Sequence, residues 1–244
     1  MKVLISQQAP TNLAPYETLQ SKFGADIDFH PFFIMEPLSA KEFRAEKINL
    51  PDYTAVVFSS RLAIDAYFKL CEEMRFKVPE TMKYFCSTEA VAMYLQKHIV
   101  YRTRKIFYGT GTPESIVALV GQKHKAEKFL ITAAVGSNVE AITSLFDKAG
   151  LDYTPGTFVK GVSQDLHGID LHNYDVIVLY NPSDVVSLKE NFPDFSQGDI
   201  KFVSFGKSVV KAMEDAGLQI SVKAPTPEAP SAAKAIELCF PQNQ

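Results

Sequence analysis

Short hydrophobic runs alternate with longer amphipathic stretches along the whole chain. The apolar runs, rich in β-branched and aromatic residues, are 3–5, 55–58, 84–86, 129–131, 176–179 and 202–205. The stretches that follow them mix apolar and polar positions at helical spacing and span 16–23, 62–71, 89–96, 138–148, 184–191 and 208–216. Buried strands that alternate with helices predict βαβ units and parallel sheets covered by helices on both faces. The predicted fold class is therefore α/β.

Two kinds of segment recur along the chain, in the order first, second, first, second. The first kind begins at 2–6 and again at 128–132, and the second kind begins at 52–58 and again at 173–179. A first-kind segment reads as strand, helix, glycine and strand, with Gly24 and Gly150 as its two glycines. Such a repeat predicts two similar domains.

The repeat is compatible with two domain layouts. Two halves of one kind would form a tandem duplication. In the other layout, segments 29–35 and 157–162 are neighbouring strands that cross between domains. Residues 36–161 then form one domain, and residues 1–35 with 162–244 form the other. Periodicity alone permits both layouts.

Composition excludes several classes of protein. The 244 residues are 46% hydrophobic, and 25 basic against 28 acidic side chains give a net charge of −3, which argues against a duplex-binding surface. No apolar run approaches the roughly 20 residues that span a bilayer, and the amino terminus has no signal-peptide pattern. Three widely spaced cysteines predict free thiols in a reducing compartment. We expect a cytoplasmic protein that binds neither membrane nor nucleic acid.

The tripeptide Thr-Pro-Glu occurs at Thr112 and again at Thr226. Thr is a good helix N-cap, Pro fits the first helical position, and Glu in the first turn complements the helix dipole. Alternatively, each helix start could offer free N–H groups to an anion. Recurrence in both halves keeps the second interpretation open.

Polar residues also follow two of the predicted strands. Ser59 and Ser60 follow 55–58, and Asn181, Pro182 and Ser183 come shortly after 176–179. Loops beyond the carboxyl ends of parallel strands face the ligand crevice, so these residues could bind a ligand or simply cap a helix.

No cofactor motif is complete in the sequence. Gly206, Lys207 and Ser208 resemble the end of a phosphate-binding P-loop, but the first glycine of that motif would fall at Lys201. The five histidines show no metal-ligand spacing and no recognisable catalytic set. From the residues alone we expect two similar domains without an identified cofactor or metal site.

Several of these pieces together resemble the uroporphyrinogen-III synthase family along essentially the whole chain. The matching segments are 2–5, 52–60, 181–183, 200–206, 216–218 and 224–229. The resemblance implies the nested layout, a two-strand hinge and an active site in a cleft between the domains. It implies a cofactor-independent lyase of haem biosynthesis that cyclises the linear tetrapyrrole hydroxymethylbilane to uroporphyrinogen III, with inversion of ring D and loss of water.

For such an enzyme, catalysis consists mainly of holding the flexible substrate in a reactive geometry. Helix N-termini, hydroxyls and a few cations would hold its carboxylates. The expected substrate-binding residues are Ser59, Ser60, Thr112, Asn181, Pro182, Ser183, Gly206, Lys207, Ser208 and Thr226. We expect no metal, no cofactor and a monomer.

The sequence departs from the family at individual positions. Val159 stands where a tyrosine is proposed as the acid, Val139 replaces an arginine, Cys86 replaces a glycine, and Asp184 replaces the last residue of Ser-Pro-Ser-Gly. No catalytic residue is therefore assigned. The alternative function is a non-catalytic two-domain protein that binds a tetrapyrrole or another polyanion, and a periplasmic-type binding protein is disfavoured because it would need a signal sequence.

Overall fold

A computed structural model gives the fold and describes residues 1–135 and 137–241. Its strands are β1 (Lys2–Ile5), β2 (Asp26–Phe29), β3 (Phe33–Pro37), β4 (Ala55–Phe58), β5 (Lys83–Cys86), β6 (Ile106–Tyr108), β7 (Lys128–Ala134), β8 (Asp152–Ser163), β9 (Val176–Leu179), β10 (Lys201–Phe205) and β11 (Ile220–Ala224). Its α-helices are α1 (Ala14–Phe23), α2 (Ala40–Phe43), α3 (Arg61–Glu73), α4 (Glu89–Tyr94), α5 (Pro113–Val120), α6 (Glu140–Ala149), α7 (Pro182–Asn191), α8 (Lys207–Asp215) and α9 (Ala232–Glu237). All the strand and helix stretches expected from the hydrophobic pattern are present, so the predicted α/β class is confirmed.

The chain divides into two compact units. One consists of Met1–Ile34 with Val162–Gln244, and the other of Met35–Gly161. Each unit is built around its own sheet. Within the described part of the chain, no helix is long and apolar enough to cross a membrane.

The first unit contains a five-stranded parallel sheet in the order β11-β10-β9-β1-β2. Alternate residues of its strands pack on opposite faces, so that Ile5 and Val178 belong to one core whereas Leu4 and Ile177 belong to another. Helices α1 and α9 cover the first face, and α7 and α8 cover the second. Burial on both faces explains why the central strands β1 and β9 are almost wholly apolar.

The second unit contains a six-stranded sheet in the order β3-β8-β7-β4-β5-β6. Helices α3 and α4 pack against Val56 and Phe58 on one face, and α5 and α6 pack against Ala55 and Val57 on the other. Five of its strands are parallel. The edge strand β3 runs opposite to β8, since Leu38 donates a backbone hydrogen bond to the carbonyl of Phe158 (2.8 Å) and Gln164, further along the chain, donates one to the carbonyl of Phe32 (2.9 Å).

In each sheet there is one pair of neighbouring strands from which the chain continues outwards in opposite directions. The first strand of a first-kind segment, β1 or β7, belongs to that pair. These switch points, where ligand crevices form in open α/β sheets, lie between β1 and β9 in the five-stranded sheet and between β7 and β4 in the six-stranded sheet. We call the edge at which the parallel strands of a sheet end its carboxyl edge.

The glycines of the first-kind repeat end their helices in the same way. Gly24 and Gly150 have φ angles of 62° and 64° in the left-handed region, where a residue with a Cβ is strained. The backbone N–H of each bonds a carbonyl of the preceding helix. The repeat seen in the sequence is thus a structural repeat.

Two expectations about elements need correction. Segment 29–35 is not one strand, because β2 ends at Phe29 and β3 begins at Phe33, with Pro31 between them. Proline has no N–H to continue a sheet ladder. The predicted neighbourhood of this segment and 157–162 is confirmed, because β3 lies beside β8.

The second correction concerns Thr226, which caps no helix. It closes a turn in which its Oγ1 and its carbonyl both accept from the Ala229 N–H (3.1 Å each). A helix starting at Pro227 would need the fourth-position N–H that Pro230 lacks. The helix α9 begins only after Pro230, with Ser231 as its N-cap.

Candidate functional site

The carboxyl edge of the six-stranded sheet holds three of the predicted residues, Ser59, Ser60 and Thr112. Ser60 caps α3, since its Oγ accepts a hydrogen bond from the Ala63 N–H (3.1 Å). The carbonyl oxygen of Ser59 accepts from the hydroxyl of Ser87 (3.1 Å), which follows the next strand, β5. Ser59 and Ser60 are exposed. Sequence reasoning missed Ser87, although it occupies the same place after β5 as Ser59 does after β4.

The loop after β6 continues this edge. Thr112 caps α5 by accepting from the Ser115 N–H (3.3 Å), and Gly111 donates to the carbonyl of Ser87 (2.8 Å). A Cβ at Gly109 would lie 2.1 Å from the Ser115 hydroxyl, so glycine is required there for close approach. The loops after β4, β5 and β6 are therefore tied together through Ser87.

The carboxyl edge of the five-stranded sheet holds the other predicted residues. Asn181 precedes α7, Pro182 is its first residue, and the side chain of Ser183 is partly exposed. Gly206 begins the turn into α8 with a φ of 129°, a conformation that favours glycine. Its N–H donates to the carbonyl of Ala224 (2.7 Å), which fixes the loop after β10 to that after β11.

A surface pocket of about 500 Å³ lies between the loops that follow β10 and β11. It is lined by Gly206, Lys207, Val210, Lys223, Ala224, Pro225 and Thr226. Three of the predicted residues thus share one pocket although Thr226 is not a helix cap. Lys223 is a further cation that sequence reasoning missed, since it lies inside a strand and belongs to no motif. Its Nζ is 2.8 Å from the carboxylate of Glu214.

A fully buried acidic residue lies at this edge, Asp184 in the first turn of α7. Its side chain is 0% exposed, and its Oδ2 accepts three hydrogen bonds, from the hydroxyl of Ser6 (2.8 Å) and from the N–H groups of Tyr180 (2.8 Å) and Asn181 (2.9 Å). Burial raises the pKa of this carboxyl group, and the hydrogen bonds oppose that rise. An acidic residue three positions after an N-cap is the sequence signal of a capping box.

Val159 and Cys86, two positions at which the sequence differs from the family pattern, are buried. Val159 is 4% exposed and belongs to the core of the six-stranded sheet, so it offers no acid group. Cys86 is fully buried, and burial raises the pKa of its thiol to about 12. All three cysteines are free thiols, as predicted, and all three are buried. Across residues 1–135 and 137–241, no group of three His, Cys, Asp or Glu side chains could hold a metal ion.

Comparison with known proteins places the chain in a family. A family model described as uroporphyrinogen-III synthase HemD matches residues 14–234. The chain belongs to the uroporphyrinogen-III synthase family. This confirms the resemblance seen in the sequence, and cyclisation of hydroxymethylbilane in haem biosynthesis is the activity that the family supports. No curated protein matches the sequence.

Solved structures of uroporphyrinogen-III synthases are similar to the chain at low sequence identity. The uroporphyrinogen-III synthetase of Helicobacter pylori 26695 superposes with a TM-score of 0.54 and 13% identity over 97% of each chain. A mutant uroporphyrinogen III synthase from the extremely thermophilic bacterium Thermus thermophilus gives a TM-score of 0.49 and 12% identity over 98% of each chain. The Helicobacter structure supports the same fold for the present uroporphyrinogen-III synthase family member.

Proposed function

We propose that this chain is a working uroporphyrinogen-III synthase that binds the carboxylates of hydroxymethylbilane at the carboxyl edges of both of its sheets. The family match over residues 14–234 supports the reaction. The observation that supports the binding mode is the pocket at the end of β10 and β11, because it combines two lysines with a glycine turn in one place.

The chemistry of the pocket fits a carboxylate ligand. Lys207 is exposed at the first position of α8, where the helix dipole also favours a negative charge. Lys223 supplies a second ammonium group, and Thr226 a hydroxyl. Charge-assisted hydrogen bonds from such groups are the stronger kind that carboxylates form in proteins.

The edge of the six-stranded sheet offers weaker, neutral donors. Ser59 and Ser60 present hydroxyl groups, Ser87 ties their loop to the neighbouring ones, and Thr112 stands at the start of α5. We propose that these groups hold further substrate carboxylates. Holding several carboxylates fixes the conformation of the bilane, so that ring D is attacked at the carbon that gives the inverted isomer. Positioning of this kind can supply a large part of a rate enhancement.

The deciding experiment supplies the purified protein with enzymatically generated hydroxymethylbilane and separates the type I and type III isomers. We expect isomer III. Formation of isomer I alone, the spontaneous product, would show that the synthase assignment is wrong. Tight binding of the bilane without isomer III would instead favour the alternative, a non-catalytic tetrapyrrole-binding protein.

The binding mode is tested separately by substitutions around the pocket. Replacing Lys207 and Lys223 together by alanine should raise KM for the bilane roughly tenfold, because two charge-assisted contacts are lost. The control is Lys211→Ala, which removes an exposed lysine of the same helix outside the pocket lining. An unchanged KM in the double variant contradicts the lysine pocket as a binding site.

The hydroxyl groups can be tested in the same assay. The triple variant S183A/S208A/T226A removes three hydroxyls from the edge of the five-stranded sheet and should also raise KM. Undiminished turnover at low substrate concentration would contradict their role. We further propose that the enzyme acts as a cytoplasmic monomer without nucleic acid, which size-exclusion chromatography with light scattering tests for the oligomeric state.

A further inference from the structure

The buried carboxyl group of Asp184 is only half satisfied. Oδ2 accepts three hydrogen bonds, but Oδ1 is buried and has no hydrogen-bond partner among residues 1–135 and 137–241. A buried polar atom without a partner lowers stability, more so when it belongs to a charged group. Packing alone does not account for a carboxyl group at such a buried position.

Helix capping alone does not require this carboxylate. In the six-stranded sheet, α3 follows its strand β4 as α7 follows β9. There the hydroxyl of Ser60 caps the helix, and Ala63 occupies the position that corresponds to Asp184. The same type of turn thus forms without any buried charge.

The three donors to Asp184 come from two adjacent strands. Ser6 directly follows β1, whereas Tyr180 and Asn181 directly follow β9, and β1 and β9 are neighbours at the switch point of the five-stranded sheet. One hydroxyl and two consecutive backbone N–H groups converge on a single carboxylate oxygen. This is the donor set expected of a carboxylate-binding site.

We propose that the switch point of the five-stranded sheet is a carboxylate-binding site which the chain fills from within, with Asp184, and that Asp184 is thereby the positioning residue for the turn that carries Asn181, Pro182 and Ser183. The second half of this proposal rests on the proposed function, since that turn is one of the expected substrate contacts. Filling the site internally leaves the bilane to bind at the exposed lysine pocket nearby in the loops after β10 and β11.

The first test does not depend on activity. Asp184→Ala leaves the three donors around an empty space of carboxylate size, so sodium formate should raise the Tm of D184A by several degrees relative to sodium chloride at equal ionic strength. Formate should not shift the wild type or Ser231→Ala, a cap variant of α9 in the same unit. Absence of a formate-specific shift in D184A would overturn the proposal.

The second test measures whether Asp184 positions the turn for substrate binding. In D184A, KM for hydroxymethylbilane should rise roughly tenfold and fall again in formate, because the turn regains its anchor. Asp184→Asn should stay within about threefold of the wild type, since its amide oxygen can accept the same hydrogen bonds. S231A should lose stability and keep its KM. If formate raises the Tm of D184A but its KM equals that of the wild type, Asp184 fills a carboxylate site without positioning the turn. That result would contradict the proposal.

Failure of the synthase assignment remains distinguishable. A wild type that forms only isomer I refutes the proposed function, while the formate shift still decides whether the donors form a carboxylate site. Should D184A fail to fold, Ser6→Ala removes one donor of the three and is expected to raise KM about threefold. An unchanged KM in S6A would then count against the proposal.

Discussion

The switch points of the two sheets use related hydroxyls in different ways. In the five-stranded sheet, the hydroxyl of Ser6 reaches across to the buried carboxylate of Asp184 (2.8 Å). In the six-stranded sheet, the equivalent hydroxyl of Thr132 donates to the backbone carbonyl of Val57 on the neighbouring strand (2.8 Å), and Ala63 stands in place of the acid. One edge is thus built around a buried carboxyl group, and the other has only neutral side chains at the corresponding positions.

This difference shows which features the fold itself demands. Both edges end their strands in a turn and start a helix at once, so the turn and the cap belong to the fold. The buried charge belongs to one edge only, although Ser6 and Thr132 are buried to similar extents, at 3% and 4% exposure. The carboxyl group of Asp184 therefore has a role that is specific to the five-stranded sheet. Placing a carboxyl group at the corresponding position of the six-stranded sheet tests this difference.

Ala63→Asp places a carboxylate at the neutral edge and should have the largest effect. The hydroxyl of Thr132 already donates to the carbonyl of Val57, and Ala63 is 3% exposed within an apolar core. We expect a loss of at least about 3 kcal/mol in the free energy of unfolding, because the buried charge is incompletely paired. Urea denaturation measures it.

The matched control for A63D is Ala63→Ser, which adds a hydroxyl without a charge. It should cost about 1 kcal/mol, since the hydroxyl can bond to the helix backbone. A loss below about 1 kcal/mol for A63D would mean that the neutral edge is also a ready-made carboxylate site. The contrast between the two switch points would then disappear.

The fold was largely predictable because it depends on burial and chirality. Strands buried on both faces must be apolar, and Gly24 and Gly150 mark helix ends that few other residues can form. The repeat could be recognised in the sequence because both copies keep the same apolar strands and the same helix-ending glycine. What the hydrophobic pattern did not predict is the split of segment 29–35 into β2 and β3, because a proline interrupts an otherwise apolar run.

The site was predictable as a location but less so as a set of contacts. Residues after the strands were expected at the carboxyl edges, and they lie there. Lys223 and Ser87 were missed because their place in the site depends on which strands are neighbours. The local Thr-Pro-Glu motif predicted a helix start at Thr226, as a cap or as an anion site, whereas Pro230, three residues beyond the expected helix start, decides the local structure. The pairing of Ser6 with Asp184 joins residues 178 positions apart and has no local signal.

The glycines at the two helix ends should behave alike. Gly24→Ala and Gly150→Ala should each cost roughly 1 kcal/mol, because alanine is strained at a φ near 60° while no atom within 4 Å blocks its Cβ. Asparagine at either position should cost less. Separate urea titrations of the four variants test this. A difference of more than about 1 kcal/mol between the two alanine variants would show that the first-kind repeats are not energetically equivalent.

The two Thr-Pro-Glu motifs should differ instead. Thr112→Ala removes the N-cap of α5 and should cost about 1 kcal/mol. Thr226→Ala removes one acceptor from a turn whose backbone hydrogen bonds remain, so we expect less than about 0.5 kcal/mol. Ser231→Ala, at the true start of α9, should match T112A more closely. Equal losses in the free energy of unfolding for T112A and T226A would contradict the conclusion that Thr226 closes a turn and caps no helix.

The smallest expected effect concerns two carboxyl groups whose pKa values move in opposite directions. In the six-stranded unit, hydrogen bonds from Lys160 and Ser39 lower the pKa of exposed Glu42 to about 2. In the five-stranded unit, burial raises that of Asp184. A lowered pKa means that Glu42 adds stability above its unfolded value, near pH 4.5, and that this is lost as the pH falls towards 2.

For Asp184 the sign reverses, because the folded state binds the proton more tightly than the unfolded state does. The stability of Glu42→Gln relative to the wild type should therefore improve on acidification below pH 4.5, whereas that of Asp184→Asn should improve as the pH rises above 3.8, the ordinary pKa of an aspartate. Thermal unfolding of the three proteins at matched ionic strength measures both trends. Parallel pH trends for E42Q and D184N would mean that the hydrogen bonds to Asp184 outweigh its burial, and that its charge costs the fold nothing.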